Sequence, residues 1–523
     1  MPARSRLAAV AAATLLSLVA AAPASASFHL MKVKEVFAGA VGNGSAQYVE
    51  LQMYAPGQNF VGGHKVTIYD RDGLVDGEFT FPGSVGNGAN QATILVATTA
   101  AATFFGLTPD LVMTPVIDPA GGKACFDAQP VDCVSWGKYS GSTAGVGNPE
   151  SPASGIPTDY AITRHLGQDG TLAAADDTDD SATDFFSTNP APRTNAGSTG
   201  ARGTASVAGG VLTYTSAAGA VDKVTLLDHD GLPAIRNTAR AVRPADGSCA
   251  QQGASTLECA DAGTAVLDLG DMADTALVTA PQPVTLNGGA GADTLTGGPA
   301  ADVLNGGTEN DKLLGGYGPD DLNGGTGTDT VSYATRTAGV AADIDGESDD
   351  GSKFDLAGGR RDYVALDVEN LIGGAGADAL TGDGDANVLD GLAGPDVLRG
   401  GLGADTATYA GRSTSVGVKL DGVANDGGPT DERTGSTNRD NLFVENVIGG
   451  AGADTITGSA GPNKLTGGLG ADTISGLEGA DEIFAKDGRA DSIVCGADAD
   501  TLHRDAGLDT FPAVGPTACE TVD

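Results

Sequence analysis

Hydrophobic positions in the C-terminal half of the chain recur every nine residues, whereas those of the N-terminal half alternate over short runs. From Gly288 onward, a bulky aliphatic residue stands at the eighth place of each nonapeptide, among glycines and one acidic residue. Five nonapeptides run without a gap to Ser332, four more begin at Gly373 and four at Gly449. A short fixed period with one apolar position per unit predicts a solenoid of stacked coils.

Residues 28–195 have the alternating pattern of β-strands. Short apolar-polar segments at residues 48–51, 66–69 and 92–96 are separated by Gly, Asn and Pro turns, which predicts an all-β sandwich. Residues 196–204 are predicted to be a flexible linker from their Gly, Ser and Thr content.

The remaining boundaries follow from where the nine-residue period starts and stops. Residues 205–286 contain a few β-like runs and are predicted to form a small β module. A parallel β-roll is predicted over residues 288–494, and residues 495–523 are predicted to cap its last apolar layer. Within the roll, the nonapeptide blocks occupy residues 288–332, 373–408 and 449–484, and two mutually similar insertions occupy residues 333–372 and 409–448.

The N-terminus has the pattern of a secretory signal peptide over residues 1–26. Arg4 and Arg6 precede an apolar run, and Ala24-Ser25-Ala26 supplies small residues at a cleavage site. A membrane anchor is the alternative, but the run is short and no later segment is apolar enough to span a bilayer. We therefore expect a secreted, extracellular protein without a transmembrane segment.

The charge balance limits which partners the chain can have. It carries 68 acidic and 29 basic residues, a formal net charge of −39, together with 80 glycines. This charge disfavours nucleic acid and anionic membranes, which bind through Lys and Arg. It also opposes compaction unless a cation is part of the fold, and a divalent metal ion is the simplest candidate.

The six cysteines fall into three close pairs, Cys125/Cys133, Cys249/Cys259 and Cys495/Cys519. Local disulfides are the simplest connectivity in an exported chain, although other pairings are formally possible. Zinc binding is the alternative, but no CxxC or HxxxH motif accompanies any pair.

The nonapeptide supplies the ligands of a hard cation. Glycines at places one, two and four let backbone carbonyls approach one point closely, and the acidic residue at place six adds an anionic oxygen. An all-oxygen set with flexible geometry favours calcium over magnesium. The candidate ligands are the sixth residues of the thirteen repeats: Asp293, Asp302, Asp311, Asp320, Asp329, Asp378, Asn387, Asp396, Asp405, Asp454, Asn463, Asp472 and Asp481.

The repeat GGxGxDxUx, where U is a bulky aliphatic residue, resembles the RTX repeat of secreted, hemolysin-type calcium-binding proteins. The resemblance implies a parallel roll with two nonapeptides per coil, in which repeats n and n+2 share a calcium ion. It implies about seven sites at most, at the pairs Asp293/Asp311, Asp302/Asp320, Asp311/Asp329, Asp378/Asp396, Asn387/Asp405, Asp454/Asp472 and Asn463/Asp481.

Several repeats depart from this pattern. The two asparagines lower the charge of their sites, so we expect those sites to be the weakest. The glycine at place two or four is replaced at Ala300, Glu309, Asp383, Leu392, Ser459 and Leu477. Most RTX proteins carry a C-terminal export signal, and the N-terminal signal predicted here differs from that.

The N-terminal region is similar to the lamin-tail domain, an immunoglobulin-like β-sandwich. The similar segments are residues 33–36, 48–51, 121–122, 131–132, 162–164, 184–186 and 192–195. The resemblance implies binding to an unknown protein or cell-surface ligand, or scaffolding, more than chemistry.

Catalytic motifs do not emerge from the sequence. The five histidines are scattered, and no GxSxG, HExxH or GxxxxGK[ST] motif occurs. His64 with Asp70 and Asp72 could form a nuclease centre, but a β-turn at residues 70–73 explains the two aspartates better. The preferred hypothesis is therefore a non-enzymatic, calcium-binding extracellular protein. The alternatives are a cell-surface adhesin or structural spacer, and a hydrolase with an unrecognised site in residues 28–195.

Overall fold

The computed structural model describes residues 30–127, 132–144, 146–151, 154–166, 171–173, 176–199, 202–357, 359–431, 439–511 and 519–523. The predicted signal peptide, His29 and Val131 lie outside these residues. Regular structure in the described ranges is almost entirely β-strand, which confirms the all-β fold class. No helix among the described residues is long and apolar enough to cross a membrane.

Two β-sheets and two short helices make up the N-terminal region. The first sheet has the strand order β10-β9-β1-β2-β5-β6, and the second has the order β4-β3-β7-β8. The elements are β1 (Met31–Phe37), β2 (Tyr48–Met53), β3 (Lys65–Tyr69), β4 (Val75–Thr80), β5 (Thr93–Thr98), α1 (Thr99–Phe105), β6 (Leu111–Met113), β7 (Gly121–Phe126), β8 (Asp132–Gly137), β9 (Ala161–Arg164), α2 (Ser181–Asp184) and β10 (Phe185–Thr188).

The two sheets enclose one apolar core, so this region is a β-sandwich. Val49 and Ile162 from the first sheet belong to the same buried cluster as Val66 and Trp136 from the second. Trp136 is fully buried, and its Nε1 donates a hydrogen bond to the Asp118 carbonyl at 2.8 Å. The lamin-tail resemblance itself stays a prediction.

A buried ion pair links the two sheets. Arg164 at the end of β9 donates from Nη2 to both carboxylate oxygens of Asp132, the first residue of β8, at 2.9 Å each. Its Nε also donates to the Val33 carbonyl on β1 at 3.0 Å. Both side chains are shielded from solvent, so water could not replace either partner of the ion pair. Removing either one would therefore leave an uncompensated charge in the core.

Residues 202–290 contain the next group of strands. They are β11 (Gly203–Ala208), β12 (Val211–Thr215), β13 (Lys223–His229), β14 (Leu232–Asn237), β15 (Val242–Pro244), β16 (Cys249–Gln252), β17 (Thr256–Cys259), β18 (Thr264–Asp268), β19 (Thr275–Val278) and β20 (Val284–Ala290).

The roll is built mostly from strands of two to six residues. They are β21 (Thr294–Thr296), β22 (Val303–Thr308), β23 (Lys312–Leu314), β24 (Asp321–Thr326), β25 (Thr330–Ser332), β26 (Ala341–Asp343), β27 (Tyr363–Val364), β28 (Asn370–Ile372), β29 (Ala379–Thr381), β30 (Val388–Asp390), β31 (Val397–Arg399), β32 (Thr406–Thr408), β33 (Gly417–Lys419), β34 (Asn441–Phe443), β35 (Asn446–Ile448), β36 (Thr455–Thr457), β37 (Lys464–Thr466), β38 (Thr473–Leu477), β39 (Glu482–Ala485), β40 (Ser492–Gly496), β41 (Thr501–Arg504) and β42 (Thr521–Val522).

Consecutive nonapeptides alternate between two parallel sheets. In the first block Leu295 on β21 pairs with Leu313 on β23, while Leu304 on β22 pairs with Leu322 on β24. The pairing partners are two repeats apart, and these four leucines are fully buried. The register therefore gives one coil per two nonapeptides, with the eighth-place side chains forming the core between the sheets.

One core runs across the predicted boundary at residues 286–288. Strands β18 and β19 of the small module pair in parallel with β20 and β21. The buried cluster extends without a break from Ala205 to Leu502. The small module therefore provides the first coils of the solenoid rather than a separate core.

The insertions change one sheet and leave the other intact. The longest sheet has sixteen strands and passes both insertions through the pairs β25–β28 and β32–β35. On the opposite side, a short antiparallel segment enters the sheet at each insertion, bridging residues 341/351 and 350/362 in the first and 417/427 and 426/440 in the second. Strand β26 then restarts the parallel pairing with β29, and β33 restarts it with β36.

All three predicted disulfides are present: Cys125–Cys133, Cys249–Cys259 and Cys495–Cys519. The first two join directly opposed residues of antiparallel strands. The third connects β40 to the C-terminal segment, whose strand β42 pairs with β41. The C-terminal segment thus continues the ladder of coils.

Leu477 occupies a glycine position of the repeat and has a φ of 80°. A left-handed backbone conformation costs a non-glycine residue about 1–2 kcal/mol. Glycine avoids this cost, but it loses more conformational entropy on folding, which cancels part of the gain. We expect Leu477→Gly to raise the free energy of unfolding in saturating calcium by about 0.5–1 kcal/mol. Leu469→Gly, at a more exposed site without a positive φ, is the control and should not stabilise. Denaturant titration measures both, and destabilisation by Leu477→Gly would contradict the strain argument.

Candidate metal centre

The sixth-place carboxylates form hydrogen-bonded rows along the edges of the roll. The Asp293 N–H donates to Asp311 Oδ1 at 2.8 Å, and the Asp311 N–H donates to Asp329 Oδ1 at 2.8 Å. Each aspartate directly precedes a short strand, so the parallel register of the strands sets the spacing of the row. Asp293, Asp311 and Asp329 therefore lie on one edge, as the shared-metal prediction requires.

The structure brings all seven predicted pairs together in this way. In each pair, the backbone N–H of the first residue donates to Oδ1 of the second at 2.8–2.9 Å, as seen for Asp293/Asp311, Asp302/Asp320, Asp311/Asp329, Asp378/Asp396, Asn387/Asp405, Asp454/Asp472 and Asn463/Asp481.

The second carboxylate oxygen is the chemically unusual one. In eight of the predicted ligands Oδ2 is buried and accepts no hydrogen bond from any described residue; these are Asp293, Asp311, Asp320, Asp329, Asp396, Asp405, Asp472 and Asp481. A buried anionic oxygen without a partner is costly, so it indicates a missing cation.

In four of these eight aspartates, namely Asp293, Asp311, Asp329 and Asp481, Oδ2 and a backbone carbonyl oxygen from outside the repeat both lie close to the first glycine of the repeat. A Cβ on Gly288 would lie 2.3 Å from Asp293 Oδ2 and 2.5 Å from the carbonyl oxygen of Gly306 in the next coil. The same position at Gly306 is 2.4 Å from Asp311 Oδ2 and 2.6 Å from the next carbonyl. These distances put the two oxygens at most 4.8 Å apart at Gly288, the sum of 2.3 Å and 2.5 Å. Two oxygens that each lie about 2.3–2.6 Å from one calcium ion can be up to about 5.2 Å apart, so a carboxylate and a carbonyl from adjacent coils are within reach of a shared ion.

Three predicted ligands differ in their local bonding. Oδ2 of Asp302, Asp378 and Asp454 accepts the N–H of the second glycine of its own repeat, at 2.5–2.7 Å. Each of these aspartates accepts its Oδ1 bond from a valine N–H instead of an aspartate N–H. Each of the three is the first acidic residue of its row, because the preceding coil has a valine at the equivalent position.

The two asparagines are held by hydrogen bonds on both sides of the amide. Asn387 Nδ2 donates to the Glu369 carbonyl at 2.9 Å, and its Oδ1 accepts the Asp383 N–H at 2.8 Å. Asn463 bonds equivalently to the Glu445 carbonyl and the Ser459 N–H. Metal binding at these positions stays a prediction, and they have the weakest geometric support.

One edge carries an unbroken row, in which glutamates bridge the insertions. Asp329 donates its N–H to Glu369, and Asp405 donates its N–H to Glu445, at 2.6 Å and 3.0 Å. The other edge is divided by the insertions into three separate rows. Their acidic members are 302, 320 and 362; 378, 396 and 440; and 454, 472, 491 and 509.

Sequence reasoning missed the members of these rows that lie outside the nonapeptide register. They are Asp222, Asp274, Asp362, Glu369, Asp440, Glu445, Asp491, Asp500, Asp509 and Glu520. Asp491 and Asp500 follow the preceding row member after 19 residues instead of 18. An acidic residue two places before an aliphatic residue was the available signal, as in Asp491-Ser492-Ile493.

Burial raises the pKa of the eleven sixth-place aspartates, and neighbouring carboxylates raise it further in most of them. The pKa of Asp293 and that of Asp311 are each raised to about 6, mainly by burial and then by nearby acidic groups. The pKa of Asp320 rises to about 10, where Asp362 is the largest neighbouring charge after burial. The calcium-free roll thus carries buried carboxyls that resist ionisation near neutral pH.

A family model of the RTX calcium-binding nonapeptide repeat matches the chain in four copies, at residues 285–313, 296–331, 369–407 and 448–483. The chain carries RTX calcium-binding nonapeptide repeats. RTX repeats bind calcium ions, so calcium is the metal for which the rows are built. A comparison with curated proteins found no match.

Outside the RTX repeats, the histidines form local contacts. His64 Nδ1 lies 2.7 Å from Asp127 Oδ2, not beside Asp70 and Asp72. Asp70 instead accepts backbone N–H groups from Asp72 and Leu74 through Oδ1, which confirms the predicted turn. His165 stacks on Phe186 with ring centroids 4.5 Å apart.

Asp311 belongs to two adjacent RTX pairs, Asp293/Asp311 and Asp311/Asp329, so its carboxylate should contribute to calcium binding at both sites. We expect Asp311→Asn to weaken calcium binding at both sites by about tenfold each, or about 1.4 kcal/mol per site. Asp72→Asn, which removes an exposed carboxylate from the 70–73 turn of the sandwich, is the control. Calcium titration calorimetry measures both variants, and equal affinities would remove Asp311 from the ligand set.

The raised pKa values also predict how the calcium-free roll responds to acid. Asp293, Asp302, Asp311 and Asp481 have a folded-state pKa of about 6, against about 4 when unfolded. Between those values the folded state binds more protons than the unfolded state, so stability falls as pH rises from about 4 to 6. In chelator, acidification from about pH 7 to pH 5 should therefore increase β-structure in circular dichroism. Loss of β-structure on acidification in chelator would contradict this prediction. In calcium the same acidification should weaken ion binding, because protons compete for the ligands.

Proposed function

We propose that the protein is a secreted, non-enzymatic calcium-binding protein whose roll folds when it meets extracellular calcium. The single observation that carries this proposal is the set of buried Oδ2 atoms without hydrogen-bond partners in the described rows. In the absence of a cation, each coil would bury uncompensated carboxylates and would also order many glycines, both of which oppose folding. An ion shared between adjacent coils removes the first cost and stabilises only the folded state.

Export fits this behaviour. The signal-peptide pattern of residues 1–26 and the three disulfides are features of a chain that crosses a membrane into an oxidising compartment. Where calcium is scarce, the repeats would remain unfolded, and they would fold after release where calcium is millimolar. The N-terminal sandwich would then act as the binding or scaffolding module.

A cell-surface spacer or adhesin is the second candidate. It is favoured by the continuous core from Ala205 to Leu502 and the uninterrupted sixteen-stranded sheet. A solenoid of stacked coils holds its two ends apart. If the coils stack only with calcium bound, the distance between the ends depends on calcium.

Circular dichroism of the mature protein in chelator and in calcium tests the main proposal. We expect most of the β-signal of the roll to be absent in chelator and to return as calcium approaches about 0.1–1 mM. Trp136, the only tryptophan, is buried in the sandwich and provides an internal control. Its fluorescence should stay constant through the titration. An unchanged spectrum in chelator would contradict calcium-dependent folding.

A further inference from the structure

At the first insertion, the row that begins at Asp302 ends inside the fold. The Asp320 N–H donates to Asp362 Oδ1 at 2.9 Å, which makes Asp362 the last acidic member. Beyond it the sheet continues through the antiparallel bridge between Asp350 and Asp362, not through another nonapeptide coil.

Asp362 nevertheless keeps an oxygen available for a ligand. Its side chain is fully buried, and Oδ2 has no hydrogen-bond partner among the residues that the structure describes. The buried Tyr333 hydroxyl lies beside Asp362 and lowers the pKa of that carboxyl as a hydrogen-bond donor does, although its geometry falls short of a full hydrogen bond.

Asp355 brings a second buried carboxylate close to Asp362. It is fully buried, its Oδ2 accepts the Ser352 N–H at 2.6 Å, and its Oδ1 is paired with Arg336. A Cβ on Gly351 would lie 2.7 Å from Asp355 Oδ2 and 2.6 Å from Asp362 Oδ2. The two carboxylate oxygens are therefore at most 5.3 Å apart, the sum of these two distances, which is comparable to the separation of the carboxylate and carbonyl oxygens at Gly288.

The charges around this space do not balance. Asp320, Asp355 and Asp362 are all fully buried, and when all three are ionised Arg336 supplies only one positive charge against them. A divalent cation would neutralise the remainder. Because the ligands are all oxygen, that cation would be a hard one.

The second insertion repeats the arrangement with a different chain spacing. The Asp396 N–H donates to Asp440 Oδ1 at 2.9 Å, and Arg412 Nη2 lies 2.6 Å from Asp431 Oδ1. A Cβ on Gly427 would lie 2.4 Å from Asp431 Oδ2 and 2.7 Å from Asp440 Oδ2. Here the Tyr409 hydroxyl donates to Asp440 Oδ2 at 2.9 Å and the Gly428 N–H donates to Asp431 Oδ2 at 2.6 Å, so each oxygen has one direction occupied.

We propose that each insertion holds a calcium ion of its own, outside the nonapeptide pattern. Asp355 and Asp362 are the anionic ligands in the first insertion, and Asp431 and Asp440 are those in the second. Each ion lies at the end of a row, one at Asp362 and one at Asp440. Each ion therefore links its insertion to the edge of the roll at which the row stops. The proposal rests on calcium binding by the roll and adds sites to it.

The number of calcium ions bound by the full-length mature protein, measured by equilibrium dialysis with radioactive calcium, tests this. We expect Asp362→Asn to lose one ion per chain, Asp440→Asn to lose one, and the double variant to lose two. Glu347→Gln is the matched control, because Glu347 is exposed in the same insertion and belongs to neither proposed site. It should lose none. Circular dichroism in saturating calcium checks that each variant is folded.

A second measurement does not depend on removing a ligand. Tyr333 and Tyr409 lie beside the two proposed sites, so they should transfer excitation to terbium bound there. We expect Tyr333→Phe and Tyr409→Phe each to reduce tyrosine-excited terbium emission with the number of bound ions unchanged. Tyr160→Phe, in the sandwich, should not reduce it.

The outcomes separate this inference from the proposed function. If the protein binds calcium and folded Asp362→Asn and Asp440→Asn keep every ion, the insertion sites are wrong and the RTX sites stand. If the aspartate variants do not fold, undiminished terbium emission in both phenylalanine variants overturns the proposal. If the unmodified protein binds no calcium at all, the proposed function itself fails.

Discussion

Buried carboxylates that lack a cation within the chain are the constraint on which the roll depends. Eight of the thirteen predicted ligands are aspartates whose Oδ1 receives a backbone N–H of the neighbouring coil and whose Oδ2 accepts no hydrogen bond from the described residues. The hydrogen bonds that align the coils therefore also bury a carboxylate oxygen that has no partner to neutralise its charge. A shared calcium ion resolves it, because the ion is bound by both coils and cannot be retained by an unfolded chain.

The core can be thin because the edges supply much of the cohesion. A single leucine, isoleucine or valine per strand fills the space between the sheets, as Leu295 and Leu304 do. The chain accordingly manages with aromatic residues at 5% and with 80 glycines. The first glycine of each repeat is required for a local reason, since a Cβ at Gly288 would fill the space between the two ligand oxygens.

The insertions affect the two edges differently. Glu369 and Glu445 carry one row past the insertions, and the asparagines that follow are bonded to their carbonyls. On the other edge, the antiparallel segments end two of the rows. The insertions thus divide the roll electrostatically while its core and its long sheet remain continuous.

The sequence by itself determined the period, the inward aliphatic position, the three disulfides and the thirteen candidate ligands, because each depends on residue type and local spacing. It did not reveal that residues 205–286 share the core of the roll, since their strands pair with the repeats without following the nine-residue pattern. Asp355 and Asp362 could not be brought together from spacing either. Only the tertiary structure decided that, because an antiparallel segment folds back beside the row and buries both carboxylates around Gly351.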